Sequence, residues 1–224
     1  MKRVKKMMKT GIHQTGLLHA DKRIYEAMEN NKYQENISVE ELSECELSWF
    51  KGEIVLVDEL KTFYEVFPRL LGEKLLGFDT ETRPTFKKGK KNKVSLIQLS
   101  TDSLACLFRI NKLGLPDELI NLLSDPGVIK AGVAVHDDIR FLRSVKKFEP
   151  SGFVDLQSFV KDFGIQSSGL KKLAAIVLGF RISKRQQVTD WEAIQLTEAQ
   201  EIYAATDAWV CHQIYRKLTV GHEV

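Results

Sequence analysis

Residues 74–81 read KLLGFDTE, an apolar run that ends abruptly in acidic residues. The length and apolar composition of this run predict a buried strand. Side chains alternate between the two faces of a strand, so Asp79 and Glu81 project from the same face near its carboxyl end. Taken singly, each of these two acids is better explained as the end of a strand that enters a turn.

The segments around this strand predict the fold class. VSLIQLST (94–101) and LACLFRI (104–110) are separated by a short polar turn and predict an antiparallel hairpin. Further strands, IVLVD (54–58) and VIKAGVAV (128–135), alternate with helical patterns. The predicted class is therefore α/β, with a mixed sheet of one antiparallel hairpin plus parallel strands, flanked by helices.

Two later segments supply further acids. HDDIRFL places Asp137 and Asp138 at the start of a helical pattern, and LTEAQEIYAATDAWVCHQIY places Tyr203 and Asp207 one turn apart on one helix face. Any one of these acids alone is better explained as a helix cap or a solvated charge. Asp207, however, stands between apolar and small residues, and a buried charge needs a partner or a metal.

Acids brought together in this way indicate a metal-dependent reaction. Crowded carboxylates repel each other unless cations lie between them, and oxygen ligands suit hard divalent ions such as Mg²⁺ or Mn²⁺. Two such ions clamp the attacking and leaving oxygens of a phosphoryl displacement. The residues by themselves therefore indicate a metal-dependent phosphodiesterase.

Length and composition favour one α/β domain with an extension. We predict that residues 1–48 form a partly flexible extension with a short helix, and that residues 49–224 form the catalytic domain. No apolar stretch approaches the roughly 20 residues of a membrane span. The three cysteines are widely spaced and form no CxxC pattern, which predicts reduced thiols in a cytoplasmic protein without a membrane partner.

At its acidic motifs the chain resembles the DEDD 3′–5′ exonucleases, in the tyrosine-bearing subgroup that includes RNase D and the exonuclease domain of the Werner-syndrome helicase. The resemblance covers residues 52–219 and rests on GFDTET with KVSLIQLS, on KAGVAVHDDIRFL, and on LTEAQEIYAATDAWVCHQIY. The histidine-bearing subgroup has a histidine five residues before the last aspartate, where this chain has Ile202. The resemblance implies an RNase H-like fold.

It also implies a two-metal site. The implied catalytic residues are Asp79, Glu81, Asp138, Tyr203 and Asp207, of which the four acids would hold two divalent ions, Mg²⁺ or Mn²⁺.

In this site Tyr203 would orient the attacking water, and nucleoside 5′-monophosphates would leave from the 3′ end. The motif register, read from Gly132 and Leu142, selects Asp138 as the ligand and leaves Asp137 as the helix N-cap.

Contacts with nucleic acid are predicted at five residues near these motifs: Thr80, Lys93, Leu99, Lys184 and Arg185. Lys93 ends a lysine-rich run, 87–93, that is either solvated surface or a means of concentrating a polyanion. Leu99 is either a core residue or an apolar wedge against the terminal base. Lys184 and Arg185 stand in a polar segment that predicts an exposed loop.

Three functions remain open at this point. DNA hydrolysis from the 3′ end is favoured over RNA because the chain has no segment for the C-terminal helical domains of RNase D, and this choice implies DNA repair with a helicase or repair partner. RNase D-like trimming of RNA is the first alternative. A catalytically silent nucleic-acid-binding module is the second, although such relatives lose the acids that this chain keeps. The sequence indicates no oligomeric state.

Overall fold

The computed structural model describes residues 33–83 and 94–220, and their sheet confirms the predicted class. Its six strands lie in the order β1-β4-β3-β2-β5-β6. Strand β3 pairs antiparallel with β2 and β4, whereas the pairs β1–β4, β2–β5 and β5–β6 are parallel. The strands are β1 Glu53–Val57, β2 Leu75–Thr82, β3 Val94–Ser100, β4 Leu104–Arg109, β5 Ile129–Gly132 and β6 Phe153–Asp155.

Helices cover both faces of this sheet. They are α1 Val39–Glu44, α2 Leu60–Val66, α3 Ile110–Leu113, α4 Asp117–Ser124, α5 Val135–Val145, α6 Leu156–Phe159, α7 Leu170–Leu173 and α8 Glu198–Val220, with 3-10 turns at Phe67–Leu70 and Val160–Phe163 and a π turn at Ala174–Leu178. None of the helices in 33–83 and 94–220 has the length and apolar character that a membrane crossing needs.

The two faces of β2 contribute to different cores. Leu76 and Phe78 are fully buried in a cluster shared with α2, α4 and α5. The alternate residues, Gly77 and Asp79, face α8 on the other side of the sheet. The acids that end β2 are therefore held between a sheet and a long helix.

The helix cap predicted at Asp137 is wrong. Helix α5 begins after Ala134, whose φ of 58° turns the chain sharply out of β5. Asp137 therefore lies within the first turn, where it pairs with Arg140 at 3.0 Å.

Helix α8 approaches β2 most closely at Gly77. A Cβ at Gly77 would lie 1.8 Å from the backbone oxygen of Ala208 and 2.9 Å from the backbone nitrogen of His212. Only glycine permits this separation, because any side chain would force the helix away from the strand. The contact is two residues before Asp79 and one after Asp207, so it brings these two acids together.

Part of the predicted extension is attached to the rest of the chain through Arg181. The backbone of Ser48 donates to the Arg181 carbonyl at 2.9 Å, and the Arg181 backbone donates to Glu46 at 2.9 Å. The Arg181 guanidinium donates from Nε to the Cys45 carbonyl at 3.0 Å. Helix α1, the short helix predicted in this extension, begins with a capping box between Ser38 and Glu41. The described part of the extension, from residue 33, is thus packed on the sheet domain.

We expect Gly77→Ala to destabilise the protein by about 1–3 kcal/mol or more, because the new methyl group overlaps the backbone of α8. Thermal unfolding measures this change. Gly72→Ala is the matched control, since a Cβ at Gly72 meets no atom within 4 Å. Equal melting temperatures for the two variants would contradict the described approach of α8 to β2.

Candidate active site

Three carboxylates meet where β2 ends beneath α8. Oxygen atoms of Asp79, Glu81 and Asp207 all lie within 4.8 Å of one another. Glu81 and Asp207 are buried, and Asp79 is half-buried. Asp79 and Glu81 project from the same face of β2, and Asp207 comes from α8, which packs on that face. Residues distant in sequence therefore form one cluster.

Asp138 stands at the rim of this cluster. It is held by a hydrogen bond from the Thr80 hydroxyl to its Oδ1, at 2.6 Å. Thr80 lies between Asp79 and Glu81 on β2 and therefore projects from the opposite face, towards α5. The structure thus places Asp138 beside the site, while the side chain of Asp137 is 68% exposed.

Burial raises the pKa values of all four acids, and repulsion by the other acids of the site adds to the shift at Asp79 and Glu81. Burial is the main cause of the raised pKa of Asp79, and the charges of Asp207, Glu81 and Asp138 add to it. The pKa of Glu81 is raised by burial and then by Asp207 and Asp138. Burial raises the pKa of Asp207 to about 7, against a hydrogen bond from Tyr203 and attraction by Lys184.

For Asp138, burial raises the pKa to about 6, against the hydrogen bond from Thr80. Four carboxyls that resist ionisation together favour a cation among them.

Buried polar atoms without hydrogen-bond partners are the second feature of this site that suits a cation. The Oδ1 atom of Asp207 is buried, and no described residue hydrogen-bonds to it. Gln98 lies directly opposite Asp79 on β3, and its buried carboxamide likewise finds no partner among the described residues. Buried polar atoms without partners are costly, and carboxylate oxygens are ligands that hard divalent ions prefer. These residues therefore fit a divalent metal.

The catalytic candidate Tyr203 is fixed from two sides. Its hydroxyl hydrogen-bonds to Asp207, and burial together with the neighbouring acids raises its pKa, so the phenol stays neutral. Its ring packs against Trp191, with the ring centroids 6.0 Å apart. Trp191 is fully buried.

Sequence reasoning missed two residues that hold the loop carrying Trp191. Arg109 is fully buried and donates to the carbonyls of Ala193 and Ile194, the latter at 3.0 Å. Gln200 donates to the Asp190 carbonyl at 3.2 Å. Arg109 and Gln98 are long polar residues within otherwise apolar strands. This pattern in the sequence could have indicated that both have a role in the site.

The predicted nucleic-acid contacts separate into three groups. Lys93 lies outside the described residues. Leu99 is fully buried on the face of β3 opposite Gln98, so the wedge prediction for Leu99 is wrong and its core alternative is right. Thr80 contacts Asp138, whereas Lys184 and Arg185 are exposed on the loop after α7. Contacts of these last three with a substrate stay predictions.

Comparison with known proteins identifies a family. Residues 54–221 match a family described as 3′–5′ exonuclease. The chain is 34% identical over 166 residues to the mouse bifunctional 3′–5′ exonuclease/ATP-dependent helicase WRN, a match that covers 69% of this chain and 11% of that protein. It is 34% identical over 167 residues to exonuclease 3′–5′ domain-containing protein 2 of Drosophila melanogaster, covering 73% of this chain and 27% of that protein. The chain thus spans a minor part of these relatives.

Solved structures share the fold. The EXO domain of Nibbler from Aedes aegypti superposes with a TM-score of 0.68 and 25% identity, over 79% of this chain and 94% of that one. RNase D of Escherichia coli, an exoribonuclease involved in structured RNA processing, superposes with a TM-score of 0.68 and 25% identity, over 75% of this chain and 44% of that one. Both agree with the predicted RNase H-like architecture.

In EDTA we expect Asp207→Asn to be more stable than the wild type at about pH 8. Because folding raises the pKa of Asp207 from 3.8 to about 7, the folded state binds this proton more tightly, and wild-type stability falls as pH rises through that window. Each pKa unit corresponds to about 1.4 kcal/mol, so the advantage of the variant shrinks as pH falls towards about 4. Denaturant unfolding measures both proteins.

Asp162→Asn, at an exposed acid, is the control and should follow the wild type. A pH-independent difference between wild type and Asp207→Asn would contradict the buried, repelled state of this acid.

Proposed function

This chain belongs to the 3′–5′ exonuclease family, and we propose that it hydrolyses DNA from the 3′ end with two divalent cations, releasing nucleoside 5′-monophosphates. The observation that carries the proposal is the buried carboxylate cluster of Asp79, Glu81 and Asp207, in which an Asp207 oxygen lacks a partner among the described residues. Asp138 at its rim and Tyr203 beside it complete the set that the family resemblance implies.

The four acids would divide between the two ions. Asp79, which is near all three other acids, would contact both, with Glu81 and Asp207 on one ion and Asp138 on the other. When bound, Mg²⁺ or Mn²⁺ lowers the pKa of water and offsets the charge that develops during phosphoryl displacement. The protein's contribution is to hold the acids at short separation in a buried setting.

Tyr203 orients the attacking water. A neutral phenol both accepts and donates a hydrogen bond, which suits positioning a water rather than removing its proton. Its hydrogen bond to Asp207 and its packing on Trp191 fix the direction of the hydroxyl. Thr80 acts on Asp138 in a similar way by holding one of its oxygens. Tyr203 thus positions the water, and Thr80 positions a carboxylate.

Similarity alone supports the choice of DNA. Identity to the mouse relative, whose name joins a 3′–5′ exonuclease to a helicase, is 34% over 166 residues. The likeness to RNase D favours a second candidate function, trimming of RNA 3′ ends. A silent binding module is disfavoured, because each acid and the tyrosine stand at one site.

Three further assignments are part of the proposal. They are a cytoplasmic location, a helicase or repair partner, and the division into residues 1–48 and 49–224. The helicase partner is supported only by the joined activities in the name of the mouse relative.

We expect Asp79→Asn to abolish hydrolysis and keep the fold, because the substitution removes a charged ligand and relieves repulsion among the acids. The assay uses 5′-labelled single-stranded DNA, recessed duplex and RNA of matching sequence, each with Mg²⁺, Mn²⁺ or EDTA. The wild type and Asp162→Asn should give a metal-dependent ladder that shortens from the 3′ end.

The oligonucleotide that the wild type cleaves fastest in this assay shows whether DNA or RNA is the preferred substrate. Wild-type protein that binds the oligonucleotides but cleaves none with either metal would replace the exonuclease by the silent module. Turnover by Asp79→Asn at the wild-type rate would refute the site assignment.

We expect Tyr203→Phe to slow the chemical step by about 10²-fold, a typical effect of losing one positioned hydrogen-bonding group. The acids are unchanged, so affinity for Mn²⁺ should stay within a few-fold of the wild type. Single-turnover kinetics and calorimetric Mn²⁺ titration give the two readouts. Loss of Mn²⁺ binding in Tyr203→Phe would show that the phenol organises the acids rather than the water.

A further inference from the structure

We propose that a cavity next to Tyr203 binds an unpaired nucleobase of the substrate strand by stacking on Trp49, while Arg185 contacts its phosphate. The cavity, named here the Trp49 pocket, has a volume of about 400 Å³ and is formed by residues 47–49, the loop around Arg185 and the surface of α8 that carries Tyr203. This inference rests on the proposed function, because it assigns part of the substrate to a subsite.

One wall of the pocket comes from outside the family match, which begins at residue 54. Hydrogen bonds fix this wall to the domain on both sides of Trp49. The Phe50 backbone donates to the Thr206 hydroxyl on α8 at 3.0 Å. The Ser48 backbone donates to the Arg181 carbonyl at 2.9 Å, next to a bridge between Leu47 and Arg181. Trp49 is therefore presented from a restrained segment.

The exposed apolar surface of this wall suits a nucleobase. Trp49 is 45% exposed and Leu47 is 44% exposed, although both are large apolar residues. The ammonium group of Lys51 lies over the Trp49 ring, 5.4 Å from its centroid. Aromatic side chains bind bases of any sequence by stacking on their π faces.

Charge around the pocket favours an anionic strand over an apolar peptide. Arg185 is the charged residue among the lining side chains, and its backbone nitrogen is held by the Ser183 hydroxyl at 3.2 Å. The adjacent Lys184 is attracted to Asp207, and Lys51 lies over Trp49. Cations are therefore found both at the stacking surface and near the acidic cluster, as a strand of alternating bases and phosphates would require.

The pocket adjoins the reaction site at Tyr203. This residue lines the pocket and hydrogen-bonds to Asp207 in the carboxylate cluster. A base in the pocket would therefore belong to a nucleotide near the scissile phosphodiester. The geometry points to a substrate whose 3′ end is unpaired, because a base held in a duplex cannot enter a separate pocket.

The test measures oligonucleotide affinity of the whole 224-residue chain in EDTA, where no hydrolysis competes. The probe is a 5′-fluorescein single-stranded DNA, followed by anisotropy, and a set in which one base at a time near the 3′ end is replaced by an abasic nucleotide. We expect Trp49→Ala to weaken binding of the complete strand about ten-fold and Trp49→Phe to restore most of it. Tyr64→Ala, at an exposed aromatic on α2, should bind as the wild type does.

Coupling between base and indole is the decisive readout. At one position near the 3′ end, the abasic change should weaken wild-type binding but leave Trp49→Ala unaffected. Arg185→Ala should weaken binding of every strand several-fold and lower its salt dependence by about one released ion. Equal affinities of Trp49→Ala and Tyr64→Ala, or abasic effects that are the same in wild type and Trp49→Ala, would overturn the subsite.

The two proposals fail separately. If the wild type shows base-to-Trp49 coupling but cleaves no strand with Mg²⁺ or Mn²⁺, the subsite stands and the exonuclease proposal falls. If the wild type produces a 3′ ladder and Trp49→Ala binds as tightly as the wild type, the exonuclease proposal stands and the subsite falls. Thermal unfolding of Trp49→Ala checks that a loss of affinity is not a loss of fold.

Discussion

Repulsion among buried carboxylates is the constraint on which this structure depends. Asp79, Glu81 and Asp207 lie within a few ångströms of one another because the strand and the helix that carry them are fixed by large cores elsewhere. Burial and like charge both oppose ionisation, so the cluster is unfavourable for the folded chain by itself. The energy that holds it comes from apolar packing, and the binding of cations relieves it.

Close backbone packing is what imposes this arrangement. Gly77 lets α8 lie against β2, and Gly132 lets the end of β5 lie against Phe78, since a Cβ there would be 2.6 Å from the Phe78 oxygen. The first contact aligns Asp207 with Asp79, and the second places the turn into α5 so that Asp138 reaches Thr80. Small residues in the core thus determine where the charged residues meet.

The loop between α7 and α8 and the segment around Trp49 lie on either side of Tyr203. Arg109 and Gln200 hydrogen-bond to backbone carbonyls of this loop. Trp191, which the loop carries, packs against the ring of Tyr203. On the other side of Tyr203, the segment around Trp49 is held to α8 and to Arg181. The same tyrosine therefore faces the acids on one side and, on the other, a cavity with the character of a base-binding subsite.

The sequence by itself determined the strands, the hairpin, the mixed sheet and the spacing that points Asp79 with Glu81 and Tyr203 with Asp207. These features follow from local periodicity, which depends only on neighbouring residues. Only the tertiary structure decided that Leu99 is core, that Thr80 holds Asp138, that Asp137 lies inside α5, and that Arg109 and Trp49 flank the site. Those outcomes depend on which face of each element meets which neighbour across the sheet, and residues far apart in sequence carry no local signal of such meetings.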